Sequence, residues 1–412
     1  MGWGTSAKPR AVRSLLLACA AGGLLLPACA IGGHATRPVA GLEVHTPPTS
    51  PSTAAAAAPA TAPPRPLAQP LNDAARPSGP SSAPSPPHPL PKPLSEPNRV
   101  APAAPPRASA APPANPAGPV LWQGDFPDPF VAPVSDPVGT GSVYYAYATQ
   151  SGTTQVQTLR SPDLAHWEWV GEALPRLASW ATFGYLWGPS VLARRTGYVL
   201  YYATRETATA RQCISAAVSL LPQGPFLDSS NHPFICQRER GGSIDPSPFV
   251  DDDGTPWLVW KSEGTLSGEP TRIWAQRLTA DGQGLLGQPS ELVHTDQPWE
   301  LPIVEGPSMT RAGGRYLLAY AGNRWETPGY AIGYAVCATP AGPCRKPLGA
   351  PVMASNASEA GPGSPSFFVD RAGALRMAYH AWTAGQVGYP GGARRLHVAS
   401  VSLAGDLMNV RE

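Results

Sequence analysis

The chain has 412 residues, only 14% of them charged, and a formal net charge of +2. With no run of like charge and no basic cluster, it lacks the concentrated cationic face that a nucleic-acid partner requires. Its 53 prolines crowd into the first third, so the folded part is smaller than the length alone suggests.

Residues 1–29 have the pattern of an export signal. Lys8, Arg10 and Arg13 precede an apolar stretch from Leu15 to Leu26, followed by small residues. A membrane span needs about 20 apolar residues, and this stretch is shorter. It ends in Leu26-Pro27-Ala28-Cys29, which is similar to the lipobox of bacterial lipoproteins, where the cysteine becomes a lipid-modified N-terminus. An ordinary secretory signal with an incidental cysteine is the alternative. The expectation is a protein secreted, or anchored at Cys29 to the outer face of the bacterial membrane, with no other membrane contact. Residues 30–118 are mostly Pro, Ala, Ser and Thr. Such a segment cannot bury enough apolar surface to offset the entropy of ordering it. It is predicted to be a disordered linker, stiffened by polyproline II.

At Pro119-Val120-Leu121-Trp122 the character changes, and residues 119–412 are predicted to form one all-β domain. Short runs of Tyr, Val, Leu and Trp alternate with Gly, Pro and Asp, and helical periodicity is absent. A repeat organises these runs: a polar or acidic residue, a proline, a short apolar stretch, then an aromatic-rich strand. Its prolines are Pro129, Pro189, Pro246, Pro307 and Pro365, spaced 60, 57, 61 and 58 residues apart. The predicted strands are Val143–Thr149, Tyr198–Thr204, Pro256–Ser262, Arg315–Ala321 and Leu375–Trp382. A strand repeat of this length fits a five-bladed β-propeller of four-stranded blades; a β-sandwich leaves the recurrence unexplained.

Outside the signal region, the cysteines are Cys213, Cys236, Cys337 and Cys344. An even number in an exported domain points to disulfides. Three pairings are open, the nearest-neighbour one being Cys213–Cys236 with Cys337–Cys344. Zinc is the rival, but no Cys-x-x-Cys or His pair stands nearby.

In a propeller, equivalent positions of the inner strands converge on the axis. Asp128, Gly188, Asp245, Gly306 and Ser364 directly precede the five prolines, with Trp187 and Glu305 one place earlier. Three carboxylates sharing a channel mouth push their pKa values apart, which separates acid from base. Glycoside hydrolysis needs that separation, and an aromatic face such as Trp187 suits a sugar ring.

The segments DFPDPF, IDPSPFVDDDG and VEGPSM resemble the signatures of glycoside hydrolase family 43, from Asp125 to the C-terminus. The resemblance implies a five-bladed propeller that hydrolyses arabinans, arabinoxylans or xylo-oligosaccharides with inversion, an α-L-arabinofuranosidase or arabinanase first among them. It implies Asp128 as general base, Asp245 as the aspartate that orients the acid, and Glu305 as general acid. Inversion would place acid and base about 6.5–9.5 Å apart. Asp125 competes as base but lies off the repeat register. Trp187, Phe126 and Arg394 are expected to contact substrate. Trp187-Gly188-Pro189-Ser190 departs from the family's Trp-Ala-Pro-Asp/Glu, keeping the aromatic and losing the acid. His380 matches a histidine that helps some members hold a calcium ion or water network at the axis. Histidine is a poor calcium ligand, and an ordinary buried histidine is the other reading. The reaction needs no cofactor, so any calcium in the channel would be structural. Arg395 beside Arg394, and the loop aromatics Trp325 and Tyr330, are further rim candidates. The alternatives are a catalytically silent glycan-binding propeller and a retaining propeller of the fructan-processing kind, with carboxylates about 5–5.5 Å apart.

Overall fold

The computed structural model describes residues 121–135, 142–264 and 267–412. The expected signal segment, linker and Cys29 anchor lie outside the described residues. The described part is all-β apart from short 3-10 turns, in five antiparallel sheets arranged as the blades of a propeller. Blade 1 holds β1 (Phe130–Ser135), β2 (Ser142–Ala148), β3 (Gln157–Ser161) and β4 (Glu168–Glu172). Blade 2 holds β5 (Ala181–Arg194), β6 (Gly197–Glu206) and β7 (Gln212–Ser219). Blade 3 holds β8 (Ser243–Val250), β9 (Pro256–Ser262), β10 (Arg272–Leu278) and β11 (Leu285–His294). Blade 4 holds β12 (Val304–Ala312), β13 (Arg315–Gly322), β14 (Ala331–Cys337) and β15 (Cys344–Arg345). Blade 5 holds β16 (Glu359–Val369), β17 (Leu375–Thr383), β18 (Arg394–Ala404) and β19 (Leu407–Arg411).

The five predicted strands correspond to β2, β6, β9, β13 and β17, each the second strand of its blade. They were legible because they are buried on both faces. Val143, Tyr145 and Tyr147 pack into the seam with blade 2, while Tyr144, Ala146 and Ala148 pack into the seam with blade 5. That is the two-residue alternation of a strand, with apolar side chains on both sides. Each of the five apolar clusters of the core occupies one seam between neighbouring blades.

Blade 2 corrects the expectation of four strands throughout. Its outer edge carries only isolated bridges, Ile214 to Ile235 and Val218 to Leu227, and the Cys213–Cys236 disulfide ties this segment down. In blade 4 the outermost strand is only two residues long, and the Cys337–Cys344 disulfide joins directly paired residues of β14 and β15. The nearest-neighbour pairing is thus the one formed. Zinc does not fit. Among the described residues, the one cluster of metal-capable side chains is Glu206, Cys213 and Cys236, and those two sulfurs are bonded to each other.

The inner strands β1, β5, β8, β12 and β16 touch in that order, and β16 returns to β1. The ring is also latched by the segment before β1. Trp122 bridges Leu396, and the Phe126 amide donates to the Arg394 carbonyl at 2.8 Å. Blade 5 is therefore completed by residues from the start of the domain.

The repeat has a backbone signature. The residue before each of the five prolines is left-handed, with φ of 54° at Asp128, 51° at Gly188, 53° at Asp245, 55° at Gly306 and 48° at Ser364. In blades 2 to 5 the ladder shifts register at this point, as a β-bulge does when it re-aims a side chain. For the three non-glycines such a conformation costs on the order of 1–3 kcal/mol each. At Gly306 a Cβ would stand 3.0 Å from the Ser364 Cα of the next blade; that crowding favours glycine.

Candidate active site

The left-handed residues Asp128, Asp245 and Ser364 border a cavity of 630 Å³ that Trp187, Glu305 and Arg394 also line. Directly beneath, the five proline pairs enclose a much smaller axial space of 30 Å³. Asp128, Asp245 and Ser364 border both and form the floor between them. The three acids that the repeat predicted to converge do line one pocket.

Asp128 is held from four sides. Thr149 Oγ1 donates to its Oδ2 at 2.6 Å, and Ser364 Oγ donates to Oδ1 at 2.8 Å. Arg394 Nη1 donates to Oδ1 at 3.2 Å, and the Asp128 amide donates to His380 Nδ1 at 3.0 Å. Burial alone would raise its pKa, but Arg394, His380 and the two hydroxyls outweigh it and hold the carboxyl below its ordinary value. His380 is itself pushed down to about 3 by burial and by Arg394. It is neutral near pH 7, so Arg394 is the cation that keeps Asp128 ionised there.

Asp245 has the opposite environment. Burial, then Glu305, then Asp128 push it up to about 8, against the pull of Lys261 and the Gly306 amide, which donates to its Oδ2 at 2.9 Å. Glu305, 8% exposed, accepts from Tyr330 OH on Oε1 at 2.9 Å and from Lys261 Nζ on Oε2 at 3.0 Å. Lys261 is also 3.4 Å from Glu263 Oε2. Burial works to discharge Lys261, but Glu305, Glu263 and Asp245 overcome it and keep the ammonium above its ordinary pKa. The site thus holds one carboxylate depressed below its ordinary pKa, Asp128, and one raised above it, Asp245.

Several expectations need correcting. Phe126 does not reach the pocket. It is 0% exposed and packs with Val131, Tyr144 and Leu396 in the seam between blades 5 and 1. Tyr330 is not a rim aromatic either. It is buried, stacks on the His380 ring with centroids 6.0 Å apart, and holds Glu305. Asp125 borders the pocket, but its carboxylate is engaged by Tyr389 OH and the Arg394 amide, each at 2.8 Å. Arg395 is half-buried and is not among the pocket's lining residues. Trp325 does line the pocket, stacked on Trp382 with the Arg394 guanidinium 4.6 Å above its ring.

Sequence reasoning passed over Lys261, Thr149 and Tyr389. Lys261 carried a usable signal, as the one cation in the strand PWLVWKS, which is apolar from Pro256 to Trp260. A lysine there must find acids, because lysine is almost never buried unpaired.

The family model for glycosyl hydrolases family 43 matches residues 117–406. The chain belongs to this family. A xylosidase/arabinosidase of Butyrivibrio fibrisolvens is 26% identical over 208 residues, 49% of this chain and 38% of that protein. An extracellular endo-α-(1→5)-L-arabinanase of Thermotoga petrophila is 27% identical over 165 residues, 32% of this chain and 34% of that protein. The chain therefore spans little more than a third of these curated relatives. Among solved structures, a thermostable family-43 glycoside hydrolase superposes with a TM-score of 0.62 at 27% identity, over 73% of this chain and 96% of its own. An endo-1,4-β-xylanase of Bacteroides thetaiotaomicron gives 0.59 at 26% identity, over 72% and 97%.

In this family 43 chain, His380 does not fit as a direct metal ligand. Its Nδ1 accepts the Asp128 amide, so the neutral ring carries its proton on Nε2 and has no second lone pair to offer. Calcium also prefers oxygen. Ser190, which stands where the resemblance implies an acid, is buried and donates to the Pro246 carbonyl at 2.6 Å. It braces blade 2 against blade 3.

Proposed function

We propose that the chain is an inverting glycosidase acting on arabinose- or xylose-containing glycans, most simply as an α-L-arabinofuranosidase or arabinanase. The observation that carries this reading is the opposed surroundings of two carboxyls on one pocket that Glu305 also lines: Asp128 is paired with Arg394, and Asp245 is buried beside other acids. Asp128, ionised beside Arg394, takes a proton from water as that water attacks the anomeric carbon. Glu305 gives its proton to the departing glycosidic oxygen. Asp245, next to it and reluctant to ionise, keeps a proton available to the pair near neutral pH. Trp187 and Trp325 provide flat apolar faces for sugar rings, and no step needs a cofactor. Support for the pentose comes from the names of the relatives, which span arabinan, arabinoxylan and xylan activities.

We place the work outside the cell. Relatives from Thermotoga petrophila and Cellvibrio japonicus are named extracellular, and Lys8 to Cys29 has the pattern of an export signal. Lipid attachment at Cys29 would hold the enzyme at the outer face of the membrane, and Cys29→Ala would then release it to the medium.

The test is a panel of arabinan, arabinoxylan, xylo-oligosaccharides and aryl pentosides, with the first-formed anomer read by NMR. Release of the inverted anomer supports the proposal. A retained anomer, or no hydrolysis of any substrate, refutes it.

A further inference from the structure

Lys261 is 2% exposed, yet it is an ammonium on a strand whose neighbours are apolar. Removing such a charge from water costs several kcal/mol, and folding alone would be served by a methionine. Its two acidic partners lie on different blades. Glu263 follows β9 in blade 3 at 3.4 Å, and Glu305 lies on β12 in blade 4 at 3.0 Å. All three side chains line the pocket.

The hydrogen bonds at Glu305 pose a chemical problem. Oε1 faces the Tyr330 hydroxyl and Oε2 faces the Lys261 ammonium. An ammonium has donors only, and a carboxyl oxygen carrying a proton would be a donor too. With both oxygens accepting, Glu305 here has the surroundings of a carboxylate, whereas a general acid must carry a proton. The Tyr330 hydroxyl can turn and accept, but the ammonium cannot, so a proton on Oε2 requires Lys261 to move, and Lys261 has a second carboxylate within reach.

We propose that Lys261 is a positioning residue that moves between Glu305 and Glu263, and so sets the pH above which the acid step fails. In the empty pocket it fixes the Glu305 carboxylate. When a sugar occupies the pocket, Lys261 turns to Glu263 and Oε2 is freed. Oε2 can then carry the proton that the acid step delivers. The charged and titratable groups around this exchange are Asp245 from blade 3, Arg324, Glu326 and the buried Tyr330 from blade 4 and, across the pocket, Asp125 and Asp128 from the start of the domain with Tyr389 and Arg394 from blade 5. The inference rests on the glycosidase reading above.

The experiment is the pH profile of kcat/KM on an aryl arabinofuranoside or xyloside, with the full-length protein. Lys261→Met removes a cation beside the acid pair, so its alkaline limb moves up by about one pH unit or more. Lys261→Arg keeps the charge and leaves the limb within a few tenths of a unit of wild type. Glu263→Gln leaves the whole charge to Glu305, and the limb moves the opposite way, to lower pH. If Lys261→Met does not fold, the Arg variant and Glu263→Gln decide the matter by the same signs. Limbs that superimpose on wild type, or that move together, overturn the role of Lys261 while leaving the glycosidase reading intact. A wild-type protein inactive on every pentoside overturns both.

Discussion

Tyr330 occupies the space in which a side chain at Gly363 would begin. A Cβ on Gly363 would lie 1.8 Å from Tyr330 Cε1, so the bare backbone of blade 5 is what lets this ring lie flat and reach Glu305. Gly363→Ala should push the ring out, destabilise the protein by about 1–3 kcal/mol through overpacking, and lower kcat. Tyr330→Phe keeps the packing and removes only the hydroxyl. A hydrogen bond to a charged group contributes about 1.5–3 kcal/mol to stability, so the melting temperature should fall by several degrees, and kcat should fall with it because Glu305 is no longer held. Steady-state kinetics beside a thermal melt separates the two effects.

Arg394 is the cation that depresses Asp128. Its replacement by glutamine should raise the Asp128 pKa, so the acidic limb of the kcat/KM profile moves to higher pH. The sign is opposite to that of a lost general acid, and an unmoved acidic limb would refute the assignment.

Asp245 makes a prediction about stability. Its folded pKa, near 8, exceeds the unfolded value of about 3.9. The stability it contributes is therefore fully present below the unfolded pKa and is lost as pH rises through the folded one. Asp245→Asn lacks that dependence. Its melting temperature relative to wild type should rise between pH 5 and pH 9, by an amount equivalent to a few kcal/mol. Its activity should fall at the same time. A difference that stays flat with pH would show that burial and Glu305 do not act on this carboxyl as described.

Glu305→Gln and Asp128→Asn should each lower turnover by about 10²–10⁴-fold while preserving the fold by circular dichroism. Wild-type turnover by either variant removes the role assigned to it.

The fold was legible because a propeller blade buries its second strand on both faces. Tyr144 to Ala148 and Val199 to Tyr202 could not be surface strands. The bulges were legible only as prolines. That each preceding residue is left-handed, which brings Asp128, Asp245 and Ser364 to the pocket floor, belongs to the backbone and leaves no mark in the composition. Phe126 was misread because closeness in sequence to Asp128 is not closeness to the pocket: the latch to β18 carries it into a seam. Tyr330 was misread because its loop looked exposed, and the vacancy at Gly363 that admits it lies in another blade. The outer edge of blade 2 was missed because its partner segment pairs only through isolated bridges and a disulfide.

The latch between Trp122 and Leu396 places the reactive centre at the join of the circle. Asp128 comes from the first blade, while the guanidinium that keeps it charged and the imidazole that receives its amide come from the last. A ribosome must deliver blades 1 to 5 as far as β18 before those parts can meet. A copy clipped before β18 would keep all three acids and still lack the group that holds the base ionised. Competence is thus a property of the finished circle, so no lone blade should show even weak turnover.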